Sequence, residues 1–335
     1  MLPGPVNAPP AGGVVEWLLG LGEPSVTLKL RTRVLGLDEA SPESRELQLR
    51  VKESPRVRAL LAERTADGTI PYHPYTKWYG AHWVLATLAD IGYPPGDTSL
   101  LPLRDQVYAW LLGPAHRRSI REIDGRVRRC ASQEGNALFA SLALGLADER
   151  ADTLAERLVR WQWPDGGWNC DRRPEARHSS FMETLIPLRA LARHARATGN
   201  RASEAAAARA VEVFLKRRLF RRRRDGAVID EEFTRLHYPC YWRYDILFAL
   251  KVMAEAGFIG DPRCQEALDL LESKRLAGGG FPAEGRFWRL TQRRTSGREL
   301  VDWGPTGRTR PNPWVTVDAL YVLRAAGRVL ALGQG

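Results

Sequence analysis

Apolar residues are clustered along this chain of 335 residues. Five segments, near 77–91, 131–147, 179–195, 241–256 and 314–327, are apolar almost all round, the pattern of helices covered on every side. Each follows a segment of mixed polarity with helical spacing, near 55–66, 100–113, 151–161, 203–219 and 261–275, as expected of helices with one face to solvent. The alternation predicts five helical hairpins with an outer and an inner layer, an all-α fold curled into an α/α toroid.

One pattern, Gln/Arg-x-x-x-Gly-x-apolar, recurs where the hairpins turn. Its copies begin at Arg64, Arg121, Gln162, Arg222 and Arg275 and carry Gly68, Gly125, Gly166, Gly226 and Gly279. Glycine after a helix adopts the left-handed conformation that ends it, and a long Gln or Arg side chain can bond the last carbonyls. The glycines are roughly 40 to 60 residues apart, the period of stacked helical hairpins.

Ahead of the first hairpin, 23–35 and 42–52 read as further helices, the second capped by Ser41 with Pro42 at its first position. The expected organisation is a disordered Pro/Gly-rich stretch over 1–12, N-terminal helices over 13–53, and a repeat domain over 54–331 with a basic insert at 282–311. The insert carries Trp288 and Trp303, which favours a lid over one rim, since tryptophans are costly to leave in solvent.

Composition narrows the function classes. Met1 to Asn7 shows no basic leader and no stretch approaches ~20 uninterrupted apolar residues, so a cytoplasmic location is expected. Four cysteines, Cys130, Cys170, Cys240 and Cys264, are too few for a disulfide scaffold. The formal charge of +11, mostly arginine, is compatible with a diphosphate-bearing substrate, with peripheral contact to an acidic membrane, with nucleic acid, or simply with a coding bias. No phosphate-binding loop, dinucleotide fingerprint or clear nucleic-acid motif is present.

The copy Gln162-Trp-Pro-Asp-Gly166-Gly-Trp168 matches the QW motif (Gln-x-x-x-Gly-x-Trp) of squalene and oxidosqualene cyclases at its defining positions. The run His237-Tyr-Pro-Cys240-Tyr241-Trp242 resembles the entry to inner helices of protein prenyltransferase β subunits. From about Ser54 to Gly327 the chain thus resembles the terpenoid cyclase and protein prenyltransferase superfamily, in organisation its bacterial squalene-cyclase-like and prenyltransferase-like members. That resemblance implies an α/α toroid acting in its central cavity on an apolar, isoprenoid-like substrate, with or without a diphosphate. Squalene cyclisation itself is not implied: the Asp-x-Asp-Asp motif is absent, the nearest acidic run being Asp230-Glu231-Glu232, and so is Asp-Asp-x-x-Asp. His237 resembles the prenyltransferase zinc ligand, but its spacing to the following Cys-Tyr is one residue longer. The Asp-x-Cys pair has only the reversed Cys170-Asp171 as a counterpart.

Independently of any family, Cys130, Cys170, His178, His237 and Cys240 lie at or just before the starts of apolar helices. Starts at one rim of a toroid converge, so these residues are expected to share one zinc ion, thiolate and imidazole being its preferred donors. The alternative is that the cysteines are packing residues and the histidines helix caps. Aligning the apolar helices gives a polar column of His82, Asn136, Glu183, Asp245 and Asp318. It is expected to face one cavity, with Glu183, Asp245, Asp318 and His82 catalytic and Asn136 contacting substrate. Trp78, Tyr241 and Trp314 lie one turn earlier on the same face, where they would suit a cationic group, and Arg221 and Arg222 are candidates for a diphosphate clamp. The column could equally be a structural feature of the repeat, each side chain bonded to a neighbour. A non-catalytic scaffold binding a small molecule or peptide, and a nucleic-acid binder acting through a basic outer face, remain alternatives.

Overall fold

The structure, a computed structural model, describes residues 13–328. The expectation of disorder over 1–12, and the last three residues of a domain expected to end at 331, fall outside the described residues. The chain is mostly helical. It opens with α1 (Val14–Gly20), α2 (Pro24–Lys29), which continues into a π-helical turn over Leu30–Val34, and α3 (Pro42–Lys52). There follow α4 (Pro55–Leu61) and α5 (Ala81–Asp90); α6 (Leu101–Leu112), the short α7 (Pro114–Ser119) and α8 (Ala131–Ala143); and α9 (Glu149–Trp161) and α10 (Phe181–Thr198). The last two pairs are α11 (Arg201–Leu215) with α12 (Ile246–Ala256), and α13 (Gln265–Glu272) with α14 (Pro313–Ala325). Two strand pairs complete the list: β1 (Glu122–Ile123) with β2 (Arg126–Val127), and β3 (Arg289–Leu290) with β4 (Arg298–Glu299).

The helices start where capping chemistry allows. Ser41 and Ser54 accept hydrogen bonds from the amides of Ser44 and Val57 ahead of Pro42 and Pro55, and Asn312 accepts from Trp314 and Val315 ahead of Pro313. Capping also corrects the expected bounds. The helix expected from 241 begins only at Ile246, because Tyr241 takes φ 55° and Asp245 caps the helix by accepting from the Phe248 amide at 2.8 Å. The helix expected from 77 begins at Ala81.

The apolar helices are neighbours in chain order: α5 packs on α8, α8 on α10, α10 on α12 and α12 on α14. α14 packs in turn on α2 and its π-helical continuation. The mixed helices α4, α6, α9, α11 and α13 each lie against one or two of these and keep exposed residues on the other side. Among the described residues no helix is long and apolar enough to cross a membrane.

All five pattern glycines take positive φ, from 66° at Gly125 to 102° at Gly166. Three copies share one turn: Thr65, Trp163 and Leu276 donate their amides to the carbonyls of Thr69, Gly167 and Gly280, while the amides of Gly68, Gly166 and Gly279 donate back. The second copy is instead a two-residue hairpin between β1 and β2, with Asp124 and Gly125 both left-handed, the combination that matches strand twist. In the third copy the Gln162 amide group donates to the carbonyls of Gly166 and Ala206 at 2.7 and 2.8 Å, joining the turn to α11. The insert over 282–311 is packed rather than free. Trp288 and Trp303 are buried, Trp288 Nε1 donates to the Tyr238 carbonyl at 3.0 Å, and the Trp303 ring lies 5.1 Å from Trp314.

Two of these glycines separate strain from crowding. A Cβ on Gly166 would lie 2.4 Å from the Arg209 carbonyl oxygen, whereas one on Gly226 would meet nothing within 4 Å. Gly226→Ala should cost only the left-handed penalty of about 1 kcal/mol, and Gly166→Ala roughly 3 kcal/mol or more, because α11 must also move. Urea unfolding of the two variants checks this, and equal costs would remove the crowding argument.

Candidate functional site

Two of the expected metal ligands come together, joined by a residue from the polar column. Cys130 is the residue just before α8, Cys170 lies in the loop before α10, and Glu183 sits in the first turn of α10. One donor atom from each lies within 4.8 Å of the other two. Glu183 accepts from the Ser132 amide at 2.9 Å and from the Cys170 thiol at 3.7 Å. Burial raises the Glu183 pKa, and the hydrogen bond with Cys170, burial and the nearby Glu183 carboxyl raise that of Cys130. The Tyr75 hydroxyl is raised as well, by burial and by Glu183, Cys130 and Cys170 beside it. Lys77 and Arg129 supply positive charge near Cys130.

The other expected ligands are elsewhere. His178 is exposed on the loop before α10. His237 bonds Asp245 at 3.3 Å through Nδ1 and Glu232 at 3.0 Å through Nε2. Cys240 donates its thiol to Asp245 at 3.3 Å, and burial pushes its pKa well up. The convergence expected of all five fails because α12 starts late: His237 and Cys240 fold around the cap of their own helix instead of reaching the neighbouring rim.

The polar column divides for a related reason. The helices begin at different points relative to the aligned sequence, so Asp245 is a cap, His82 and Glu183 lie in first turns, and Asn136 and Asp318 in second turns. Three carboxylates facing one ligand are therefore not found. Of the column, Asn136 and Asp318 line a small cavity with Tyr241. His82 is buried in an aromatic cage of Trp83, Tyr75 and Trp110, with both ring nitrogens unpartnered among the described residues, and burial pushes its pKa down to about 3. Trp78 stacks on Tyr241 at 4.0 Å, but Trp314 stacks on Tyr238 and is sealed from the cavity. Arg221 pairs with Glu266 beside α13 and Arg222 is exposed on the same turn, which does not form a clamp over the cavity.

Sequence reasoning missed a belt of buried ions. Lys251, midway along α12, contacts Asp90 and Asp318, both at 2.8 Å. Lys29 at the end of α2 contacts the same carboxylates at 3.3 and 3.1 Å. Arg189 of α10 reaches Asp90 at 3.2 Å and grips Glu255 with two bonds at 2.6 and 2.9 Å, and the Tyr238 hydroxyl donates to Asp90 at 3.1 Å. Burial alone would raise the Asp90 pKa, but Lys251, Lys29 and Arg189 outweigh it and hold the carboxyl well below its usual range. The two lysines move in opposite directions: burial lowers Lys29, while the shorter contacts of Lys251 to both carboxylates overcome burial and raise it. The available clue was a single lysine inside the apolar run from Ile246 to Met253, since a buried charge requires partners.

This belt partitions the interior. On the side where the apolar helices begin lies a cavity of about 70 Å³, lined by Trp83, Asn136, Tyr238, Tyr241 and Phe248 among others. Toward their far ends lies a cavity of about 1020 Å³, and Asp90, Arg189, Lys251 and Asp318 line both. No protein-family model, curated protein or solved structure matches the chain.

Two consequences can be measured. Lys251→Met leaves Asp90 and Asp318 each without their closest cation, and should cost about 3–5 kcal/mol in urea unfolding; a loss under 1 kcal/mol would mean that Lys29 and Arg189 suffice. Unfolded histidine titrates near 6.5, whereas His82 stays neutral to about 3 when folded, so the unfolded state binds the extra proton as pH falls between those values. Stability attributable to His82 is complete above about pH 6.5 and declines by up to about 1.4 kcal/mol per unit below it. His82→Phe should flatten the stability profile between pH 6.5 and 4, and an unchanged slope would show that His82 is not the group responsible.

Proposed function

We propose that the protein is a zinc-dependent enzyme of the α/α-toroid type, with its metal held by Cys130, Cys170 and Glu183. The toroid reading is supported by the neighbour order of the apolar helices, which returns from α14 to α2, and by the five turns with left-handed glycine. The observation that carries the metal reading is the approach of two thiols and a carboxyl to within 4.8 Å of one another at the starts of two adjacent helices. The donor set fits: two soft sulfurs and one oxygen suit zinc, and three protein ligands leave a fourth position open, as catalytic sites do. The raised pKa values of Cys130 and Glu183 fit too, since those two crowded acids hold protons that a divalent cation would displace. When bound, zinc would supply a Lewis acid that lowers the pKa of a thiol or water ligand.

The chain's own residues set up the surroundings. The Ser132 amide orients Glu183, Tyr75 offers a hydroxyl beside the ligands, and Lys77 and Arg129 favour an anionic group there. The substrate class drawn from the repeat, an isoprenoid-like apolar molecule, suits the aromatic lining of the small cavity. At about 70 Å³ that space takes only one or two waters, so an isoprenoid-sized substrate requires the surrounding side chains to move apart. One observation favours a non-catalytic binding scaffold instead: Asp245 and Asp318 are already engaged by hydrogen bonds and ion pairs, leaving neither available for proton transfer.

Cobalt substitution tests the metal reading. One equivalent of Co²⁺ should give the intense near-ultraviolet band of thiolate ligation, lost in Cys130→Ala and Cys170→Ala, weakened in Glu183→Gln and retained in Cys240→Ala. Equal binding by wild type and the two rim cysteine variants, or a Cys130–Cys170 disulfide with no metal taken up, would overturn it.

A further inference from the structure

The larger cavity has a charge that its own walls do not balance. Within the belt, Lys29, Arg189 and Lys251 are matched by Asp90, Asp318 and Glu255, and this floor is neutral. Arg33, above it, shares Glu255 at 3.6 Å and adds Glu39 at 3.7 Å, which balances its charge. Arg45, Arg193 and Arg196 line the same space and, among the described residues, none of the three forms an ion pair. Arg196 donates to the Glu255 carbonyl, a neutral acceptor that leaves its charge in place. Arg193 is half-buried and makes no hydrogen bond or ion pair among the described residues; its guanidinium lies 5.8 Å from the Phe139 ring. Burial and the neighbouring Arg189 push the Arg193 pKa down, and the more distant Glu255 and Glu39 only partly offset them. The negative poles of α5, α8 and α12, which end at Asp90, Ala143 and Ala256, offset part of this excess, but a pole is worth about half a charge and fades within a turn.

We infer that this cavity binds a small, multiply charged oxyanion, a polycarboxylate or a phosphate ester, with an acidic group on Arg193 and further charge met by Arg45 and Arg196. Guanidinium forks match carboxylate and phosphate oxygens in pairs, and a volume of about 1020 Å³ accommodates a metabolite-sized ligand. Apolar wall residues, Leu28, Phe139, Ala143 and Val317, leave room for a carbon body on one side. The site stands apart from the rim cysteines: it opens toward the far ends of the apolar helices, and the ion belt closes its floor. It therefore does not depend on the proposed metal.

Titration calorimetry of the full chain at low ionic strength, with citrate and with inorganic diphosphate as probes, tests this. Saturable binding of at least one probe is expected. It should be unchanged in the Cys130→Ala/Cys170→Ala variant, so that an anion held by a rim metal is not mistaken for it. Arg193→Ala should weaken binding about tenfold or more, the loss expected for charge-assisted hydrogen bonds, and Arg193→Lys should recover part of it. Arg45→Glu, an exposed change that leaves the fold intact, should weaken binding too and guards against a misfolded Arg193 variant. Absence of saturable binding at millimolar probe, wild-type affinity in Arg193→Ala, or binding only to phosphatidylglycerol vesicles and to neither soluble probe would each overturn the inference.

Discussion

Asp90 and Asp318 are each gripped by Lys29 and Lys251, and the four form their full set of contacts only where α2, α5, α12 and α14 meet at one point. Hydrophobic burial is indifferent to which apolar helix lies beside which. An ion removed from water is not, because an unpaired buried charge costs several kcal/mol. The belt therefore adds specificity to a set of apolar helices that could otherwise exchange neighbours. Arg189 extends the same constraint to α10, where its two bonds to Glu255 fix the far half of that helix against α12. The partition of the interior into two cavities follows from this arrangement.

The helical elements were largely legible from the sequence. Periodicity separated the apolar from the mixed helices, and the recurrent glycines marked left-handed turns correctly, because both signals are local and depend on backbone geometry. Side-chain convergence was less legible. Cys130 and Cys170 do meet, since Cys130 precedes α8 and the loop into the neighbouring α10 brings Cys170 beside it, but His178 stays in solvent and Cys240 is drawn into the cap around Asp245. The aligned polar column mixed different helical positions: Asp245 looked equivalent to Glu183 only because the late start of α12, set by Tyr241 and by the cap itself, left no periodic signature. Lys251 and Asp90 were passed over for the opposite reason. Each is a single charge within or at the end of an apolar run, and only the fold reveals its partner more than a hundred residues away.

The insert over 282–311 looks in sequence like an irregular basic loop, yet its tryptophans make it part of the core. Trp288 bonds the Tyr238 carbonyl, while Tyr238 also bonds Asp90. Trp303 packs against Trp314 and Tyr238, and the Trp78 amide and indole both bond the insert's backbone. One residue, Tyr238, thus links the insert to the charged floor of the small cavity, and a displacement of the insert would be felt at the belt.

The contact between Lys29 and Asp318 spans 289 positions of the chain. During synthesis, the N-terminal helices leave the ribosome long before α14 exists, and Lys29 then has no Asp318 to meet. Even if the intervening hairpins associate as they emerge, the assembly remains open, with a lysine and apolar surface awaiting the final segment. Such non-local closure slows folding and prolongs the exposure of sticky intermediates. A chain truncated before α14 would lose far more than one helix, because its absence would leave Lys29 and Lys251 bound to a single remaining aspartate and the first and last parts of the chain without their common seam.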